Sequence, residues 1–174
     1  MRVNSFILKT AISLMSISVA FPALANTRSE VIATLQQKTS VPVEFPGSLP
    51  NTGGEEVYLN WSADNNSYNV NFDYTNDCNG ATACNMGSFS AEKGGIVVPK
   101  SEFSFSDRSD IPIEMQDKYE YIKLDNGYNA VFMYGCGAYC NATLQWKINN
   151  VLYSIYLKNG NKEEVMKIAN SVYN

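Results

Sequence analysis

The stretch ATLQWKINNVLYSIYL, residues 142–157, decides the fold class of this chain. Its two halves, residues 142–148 and 151–157, carry apolar side chains at every second position, which is the period of a strand with one buried face. Asn149 and Asn150 separate the halves, and both tolerate the positive φ angles that a tight hairpin turn requires. We therefore predict an antiparallel hairpin at this place.

A helix is predicted directly after this hairpin. The segment NKEE, residues 161–164, begins with a residue suited to the N-cap and continues with two carboxylates in the first turn. Apolar residues then follow on one helical face: Val165, Ile168, Ala169 and Val172. We expect this face to pack on the sheet.

Patterns of period two also occur upstream of residue 142. Residues 118–124 and 128–134 flank the turn segment DNG, residues 125–127, and predict a second hairpin. Further strands are predicted at residues 57–61, 68–74, 87–92 and, in the segment GGIVVP, 94–99. Residues 101–117 are predicted to form a long polar loop.

The region before the strands is predicted to contain a helix and a connector. Thr27 and Glu30 have the spacing of a capping box, and the helix should end near Lys38 because Pro42 disfavours its continuation. Residues 41–50, VPVEFPGSLP, are predicted to run extended along a sheet edge. The sum is an α+β fold with an N-terminal helix, an antiparallel meander of about six or seven strands, and a C-terminal helix packed on the sheet.

The first 25 residues have the features of a secretory signal peptide. Arg2 and Lys9 give a positive start, residues 11–21 are mostly apolar, and Ala23-Leu24-Ala25 is a small-residue cleavage motif. Cleavage after Ala25 would leave one domain, residues 26–174, in the periplasm or outside the cell. No later apolar run reaches the roughly 18 residues of a membrane span, so we predict no transmembrane segment in the mature chain.

Composition excludes several classes of function. The net charge is −4 and becomes more negative when Arg2 and Lys9 leave with the signal peptide, so nucleic acid is not an expected partner. The sequence contains no histidine, which rules out Ser-His-Asp, Cys-His and histidine-based zinc sites within one chain. We predict no cofactor and no metal site, and we favour a protein without catalysis.

Four cysteines lie in two short glycine-containing segments, CNGATAC (residues 78–84) and CGAYC (residues 136–140). In an oxidising compartment we predict the local disulfides Cys78–Cys84 and Cys136–Cys140, each worth about 2 kcal/mol in the loop-entropy model. Cross-pairing is the alternative, and the sequence allows three connectivities. A four-thiolate zinc site is disfavoured because five residues separate Cys78 from Cys84, a C-x5-C spacing, and because the compartment oxidises thiols. A redox pair is disfavoured because neither segment is a C-x-x-C at a helix start.

One resemblance to known proteins can be stated. Residues 144–172 resemble the closing strand-turn-strand-helix of a bacterial extracytoplasmic domain of unknown function that often accompanies anti-sigma factors. The matching positions are Trp146, Tyr153, Ile155, Ala169 and Ser171. The two cysteine segments are also similar to those of small secreted proteins of cyanobacterial type. The resemblance implies that Trp146 and Ile168 pack the helix on the sheet, and it supplies no catalytic residue.

Eleven tyrosines are a further peculiarity of the composition. Tyrosine is favoured both in strands and at recognition surfaces, so a structural role and a binding role both remain open. The candidate binding residues are Tyr119, Tyr121, Tyr128, Tyr134 and Tyr139.

Two functional hypotheses follow from the sequence, beside a purely structural role in the envelope or a lumen without a discrete ligand. The first is an exported, disulfide-stapled module without catalysis that binds a protein, a peptide or an envelope component, its two pinned loops marking the docking surface. The alternative is a carboxylate-dependent hydrolase of envelope glycans, which needs two acids across a cleft. The acids available in the polar loop are Asp107, Asp110, Glu114 and Asp117.

Overall fold

The computed structural model describes residues 27–78, 80–103 and 112–173, so the predicted signal peptide lies outside the described residues. The helices and strands are α1 (Arg28–Lys38), β1 (Tyr58–Ala63), β2 (Ser67–Asp73), β3 (Asn85–Lys93), β4 (Lys118–Lys123), β5 (Asn129–Cys136), β6 (Cys140–Ile148), β7 (Val151–Lys158) and α2 (Lys162–Asn170). Single turns of 3-10 helix occur at Ile113–Met115 and Ser171–Tyr173. The fold is α+β, as predicted.

The seven strands form one open antiparallel sheet with the order β1-β2-β3-β7-β6-β5-β4. The prediction of a single meander is therefore wrong at one point, because β3 pairs with β7 and not with β4. The physical reason lies in burial. The β7 strand is buried at five of its eight positions and suits the centre of the sheet, whereas β4 carries Lys118, Glu120 and Lys123 and suits an edge.

Both predicted hairpins and both predicted helices are present. Asn149 and Asn150 have φ angles of 48° and 67° in the turn between β6 and β7. Thr27 forms the predicted capping box with Glu30, and α1 ends at Lys38. None of the helices in the described parts of the chain is long and apolar enough to span a membrane.

The hydrophobic core lies between the helices and one face of the sheet, which we call the inner face. Val31 and Leu35 of α1 and Val165 and Ile168 of α2 are buried against it. The β1 strand contacts α1, and the β6 and β7 strands contact α2. The indole Nε1 of Trp146 donates a hydrogen bond of 3.2 Å to the hydroxyl of Tyr173, which anchors the chain end on the sheet.

Residues 41–50 do not follow a sheet edge, which corrects the sequence prediction. Phe45 is buried with its ring 5.9 Å from the ring of Phe89 in β3, the third strand of the sheet. The Tyr68 hydroxyl donates to the carbonyl oxygen of Glu44, and the Gly47 amide donates to the carbonyl oxygen of Ser171. The segment therefore crosses the inner face, because burying its apolar side chains there stabilises more than leaving them at an edge.

The segment GGIVVP also differs from its prediction, since residues 94–99 form no strand. The edge of β3 that would have paired with it is occupied by β7. The segment instead crosses the second face of the sheet, which we call the outer face. Gly95 packs against Leu152 of β7, and the amide of Val98 donates a hydrogen bond of 3.0 Å to the Gln145 side chain on β6.

Phe89 is the centre of the aromatic core, and its truncation should be costly. Its ring centroid lies between 5.9 and 6.3 Å from those of Phe45, Tyr68, Trp146 and Tyr153. We expect Phe89→Ala to lower the free energy of unfolding by about 3–5 kcal/mol in urea titrations. The control Tyr121→Ala, at a side chain that is 76% exposed, should change it by less than about 0.5 kcal/mol. If Phe89→Ala does not fold, Phe89→Leu gives the same comparison with a smaller loss; equal stabilities of Phe89→Leu and wild type would contradict the assignment.

Stability should also decline at alkaline pH because of the inner-face tyrosines. Burial raises the pKa of Tyr68 and of Tyr153, and it raises the pKa of Tyr173 to about 12. The folded chain keeps protons that the unfolded chain releases, so this contribution is complete below a pH of about 10 and is lost as the pH rises toward 12. Urea titrations from pH 8 to 11 should show a falling free energy of unfolding.

A matched pair of variants isolates this effect. Tyr173→Phe removes one titrating group, so the decline above a pH of about 10 should be shallower than in wild type. Ile113→Val, a change at an exposed position that removes no titrating group, should leave the slope unchanged. A pH profile that is the same for wild type and Tyr173→Phe would contradict the prediction.

Candidate functional site: an aromatic cleft on the outer face

The outer face divides into two parts of different chemistry. Over β1, β2, β3 and the middle of β7, most residues that alternate with the buried ones are small, polar and uncharged: Asn60, Ser62, Asn69, Asn71, Ser88, Ser90 and Ser154. The carboxylates of this part are Asp73 at the end of β2 and Glu92 near the end of β3. Such a surface is the ordinary solvated side of an antiparallel sheet, and these residues alone do not indicate a ligand.

The second part of the outer face, over β4 to β7, is partly covered by residues 95–103. The Tyr119 hydroxyl of β4 donates a hydrogen bond of 2.7 Å to the carbonyl oxygen of Val98. Under this crossing segment lie three buried apolar side chains that belong to the outer face, namely Val131, Met133 and Leu152. They form a small apolar layer apart from the main core, as is common beneath long connections.

A cleft of about 320 Å³ opens between the crossing segment and β4. We call it the aromatic cleft, and its lining residues include Val97, Val98, Pro99, Tyr119, Tyr121, Asn129, Val131 and Gln145. The rings of Tyr119 and Tyr121 meet edge to face at 5.5 Å, and Phe103 lies 5.7 Å from Tyr119. Most of the Tyr121 side chain, 76%, is exposed to solvent. The cleft therefore presents an uncovered aromatic surface on rigid strands.

The hydroxyl of Tyr119 fixes one wall of this cleft. Burial, followed by the neighbouring Tyr121, raises the pKa of Tyr119. A phenol is already protonated at neutral pH, and the raised pKa extends this to more alkaline pH, so the hydroxyl keeps donating to Val98. The amide of Val98 is held on its other side by Gln145, so the wall is fixed from two strands.

Two lysines stand at one end of the aromatic cleft. Lys123 of β4 pairs with Asn129 of β5. On β6, Lys147 comes directly after Trp146, and Trp146 pairs with Ala130, the residue after Asn129. Both lysines are exposed, and both alternate with inner-face residues, so they lie on the outer face with Tyr121. Among the described residues neither of them forms an ion pair.

The five predicted binding tyrosines are not brought together. Tyr119 and Tyr121 lie in the aromatic cleft, whereas Tyr128 contacts Tyr173 at 5.8 Å on the helix side. Tyr134 lies parallel to Phe132 at 6.4 Å, on the inner face. The register explains the split, because Tyr119 stands opposite Met133 and not opposite Tyr134. A binding role of Tyr119 and Tyr121 remains a prediction.

Tyr139 lies neither in the cleft nor on the inner face, but at the end of the sheet that carries both disulfides. The bonds Cys78–Cys84 and Cys136–Cys140 are both present, with the local pairing that was predicted. We call the two loops that they close the disulfide rim. The Lys158 ammonium of β7 donates a hydrogen bond of 2.7 Å to the carbonyl oxygen of Thr82 in one loop and lies 5.0 Å from the Tyr139 ring in the other.

The disulfide rim does not form the aromatic cleft. Cys136 is three residues beyond Met133, the partner of Tyr119, and five beyond Val131, which places the rim roughly 10–17 Å from these cleft residues along the strand. The docking surface that the sequence predicted at the two disulfide loops is therefore a different place from this cleft. The rim fixes the ends of β2, β3, β5 and β6, which is a structural role.

The carboxylates of the alternative hydrolase hypothesis are only partly described. Asp107 and Asp110 lie outside the described residues, and so does the side chain of Glu114. The carboxylate of Asp117 lies against Gly135 near the disulfide rim. A glycosidase needs a second carboxylate across the cleft, so the hydrolase remains a prediction.

Sequence reasoning missed several residues of the outer face. The lysines at the end of the cleft gave no signal, because lysine on the polar side of a strand is ordinary. The apolar run at residues 95–99 was a usable signal, since a covering segment also needs apolar side chains. Asp73 was missed as well: it is buried, and its carboxylate accepts hydrogen bonds of 2.8 Å from the amides of Asn60 and Asn85.

Each disulfide should contribute separately to stability. We expect Cys136→Ser/Cys140→Ser and Cys78→Ser/Cys84→Ser each to lower the free energy of unfolding by about 2 kcal/mol, because each removes one small covalent ring from the unfolded chain. Urea titrations of the two variants and of wild type measure this. Loss of less than about 0.5 kcal/mol in both variants would contradict a stabilising role.

Comparison with known proteins identifies no relative: no family model, no curated protein and no solved structure gives a significant match to this chain.

Proposed function

We propose that this chain is an exported binding module without catalysis, and that its ligand binds in the aromatic cleft. The observation that carries the proposal is Tyr121, a large aromatic side chain that is 76% exposed beside a cleft that neither helix covers. Exposed aromatic surface on a rigid scaffold is a common basis of recognition, since tyrosine offers contact area with little loss of side-chain entropy.

The size and the lining of the cleft favour binding over catalysis. Its volume of about 320 Å³ is at the lower end of the range for small-molecule pockets. Its described lining holds tyrosine, asparagine, glutamine and aliphatic side chains and no carboxylate. These groups can pack and hydrogen-bond, but they offer no general base with a pKa near neutrality.

Export is supported by the leader-like N-terminus and by the two disulfides. Disulfides persist in oxidising compartments, and both cysteine pairs are bonded. On the resemblance of residues 144–172 we further propose that the chain is a bacterial extracytoplasmic protein. The periplasm, or the outside of the cell, is then where the ligand is encountered.

Site-specific photo-crosslinking tests the proposed binding site. A benzoyl-phenylalanine at position 121 should crosslink to one or a few components of a periplasmic extract. The same residue at position 36, exposed on α1 on the opposite side of the sheet, serves as the control and should not. Excess unlabelled wild type should compete for the crosslink, and excess Tyr121→Ser should not.

Two outcomes would overturn the proposal. Equal crosslinking from positions 121 and 36 would show that the cleft has no special role. No crosslink at micromolar protein, together with measurable release of products from cell-wall material, would favour the hydrolase instead.

A further inference from the structure

We infer that the aromatic cleft binds an extended acidic peptide segment, with an apolar side chain seated between the tyrosines and Val98 and carboxylates meeting Lys123 and Lys147. This inference rests on the proposed function and names the partner of that same site. It is argued from the charges, the lining and the length of the cleft.

The local charge at the cleft is opposite to that of the whole chain. The protein is acidic, with a net charge of −4, yet none of the described residues that line the cleft carries a carboxylate. Lys123 and Lys147 are exposed at its end and form no ion pair among the described residues. A partner segment that carries Asp or Glu could therefore form ion pairs with both lysines. No ion pair among the described residues competes for them.

Several other cations of the chain are already engaged in contacts within the fold. Arg28 donates to the carbonyl oxygen of Phe45, Lys158 donates to that of Thr82, and Lys162 forms an ion pair with Glu120. Their positive charges stabilise the fold. Within the parts of the chain that the structure describes, Lys123 and Lys147 have no such contact, so both are available to a partner.

The length of the cleft fits an extended chain. Tyr119, Tyr121 and Lys123 lie on the same side of β4 at successive alternate positions, so the distance from the first to the last is about 13 Å. About four residues of an extended peptide cover that distance, because an extended chain rises roughly 3.3 Å per residue. An apolar residue near Tyr119 and acidic residues two to four positions away can thus bind at the same time.

The apolar end of the cleft specifies the other half of the ligand. Val97, Val98 and Pro99 face Tyr119 and Tyr121 across the opening. An aromatic or branched aliphatic side chain would bury its surface here, which supplies the main favourable free energy. Exposed ion pairs are weaker, about 0.2–1 kcal/mol each, so the lysines contribute more to specificity among peptides than to affinity.

A displayed peptide library tests the inference. Random peptides of about 12 residues, three times the length that the cleft accommodates, are selected on wild type after depletion on Tyr121→Ser. We expect enriched peptides that combine an aromatic or branched aliphatic residue with at least two Asp or Glu residues within four positions. One enriched peptide, labelled with fluorescein, is then titrated by fluorescence polarisation.

The charge variants give the decisive comparison. Lys123→Glu/Lys147→Glu should weaken binding of the labelled peptide at least tenfold, because two attractive pairs become repulsive. Lys167→Glu, an exposed lysine on α2 at the other side of the sheet, makes a charge change of the same kind and should alter binding less than twofold. Replacing the peptide's Asp and Glu by Asn and Gln should weaken binding to wild type and not to the double lysine variant. Thermal unfolding checks that every variant is folded.

The outcomes separate the inference from the proposed function. Enriched peptides that need Tyr121 but are neutral or basic, or that bind equally to the double lysine variant, would overturn the inference and leave the cleft as a binding site. A crosslink from position 121 without any enriched peptide would overturn it in favour of a ligand that is not a peptide. Failure of both experiments would overturn the proposed function as well.

Discussion

The antiparallel pairing of β3 with β7 is the interaction on which the rest of this structure depends. It joins two groups of sequence-adjacent strands, β1–β3 and β4–β7, into one sheet with a common inner face. Phe89 of β3 and Ile155 of β7 are directly paired and fully buried, so the join runs through the centre of the core. Without this pairing each group would leave an apolar face with only one helix to cover it.

The same pairing creates the candidate binding site. Because β7 occupies the edge of β3, the chain that leaves β3 must cross three strands before it can become β4. The helices, together with residues 41–50, cover the inner face, so the crossing takes the outer face. Its apolar residues bury Val131, Met133 and Leu152, and its border with the edge strand β4 is the aromatic cleft. A topological constraint thus places an aromatic surface where a partner can reach it.

The two disulfides act at a different place from the cleft. They close loops at one end of the sheet, and Lys158 links these loops by contacts with Thr82 and with the Tyr139 ring. Covalent rings and one shared cation therefore hold four strand ends together. The cleft is held instead by packing and by the hydrogen bonds of Val98 with Gln145 and Tyr119. The disulfide rim and the candidate binding site therefore lie in separate parts of the sheet and depend on different interactions.

Local rules determined much of this protein from its sequence. The capping box at Thr27, the hairpin turn at Asn149 and Asn150, and the short disulfide rings all depend on residues within a few positions of one another, and all were predictable. The period of two in residues 118–124 also implies that Tyr119 and Tyr121 share a face. Only the tertiary structure decided which strand β3 pairs with, which face residues 95–103 cross, and which tyrosines meet. Those choices depend on how apolar surface from distant parts of the chain is buried together, and no short-range pattern in the sequence encodes that competition.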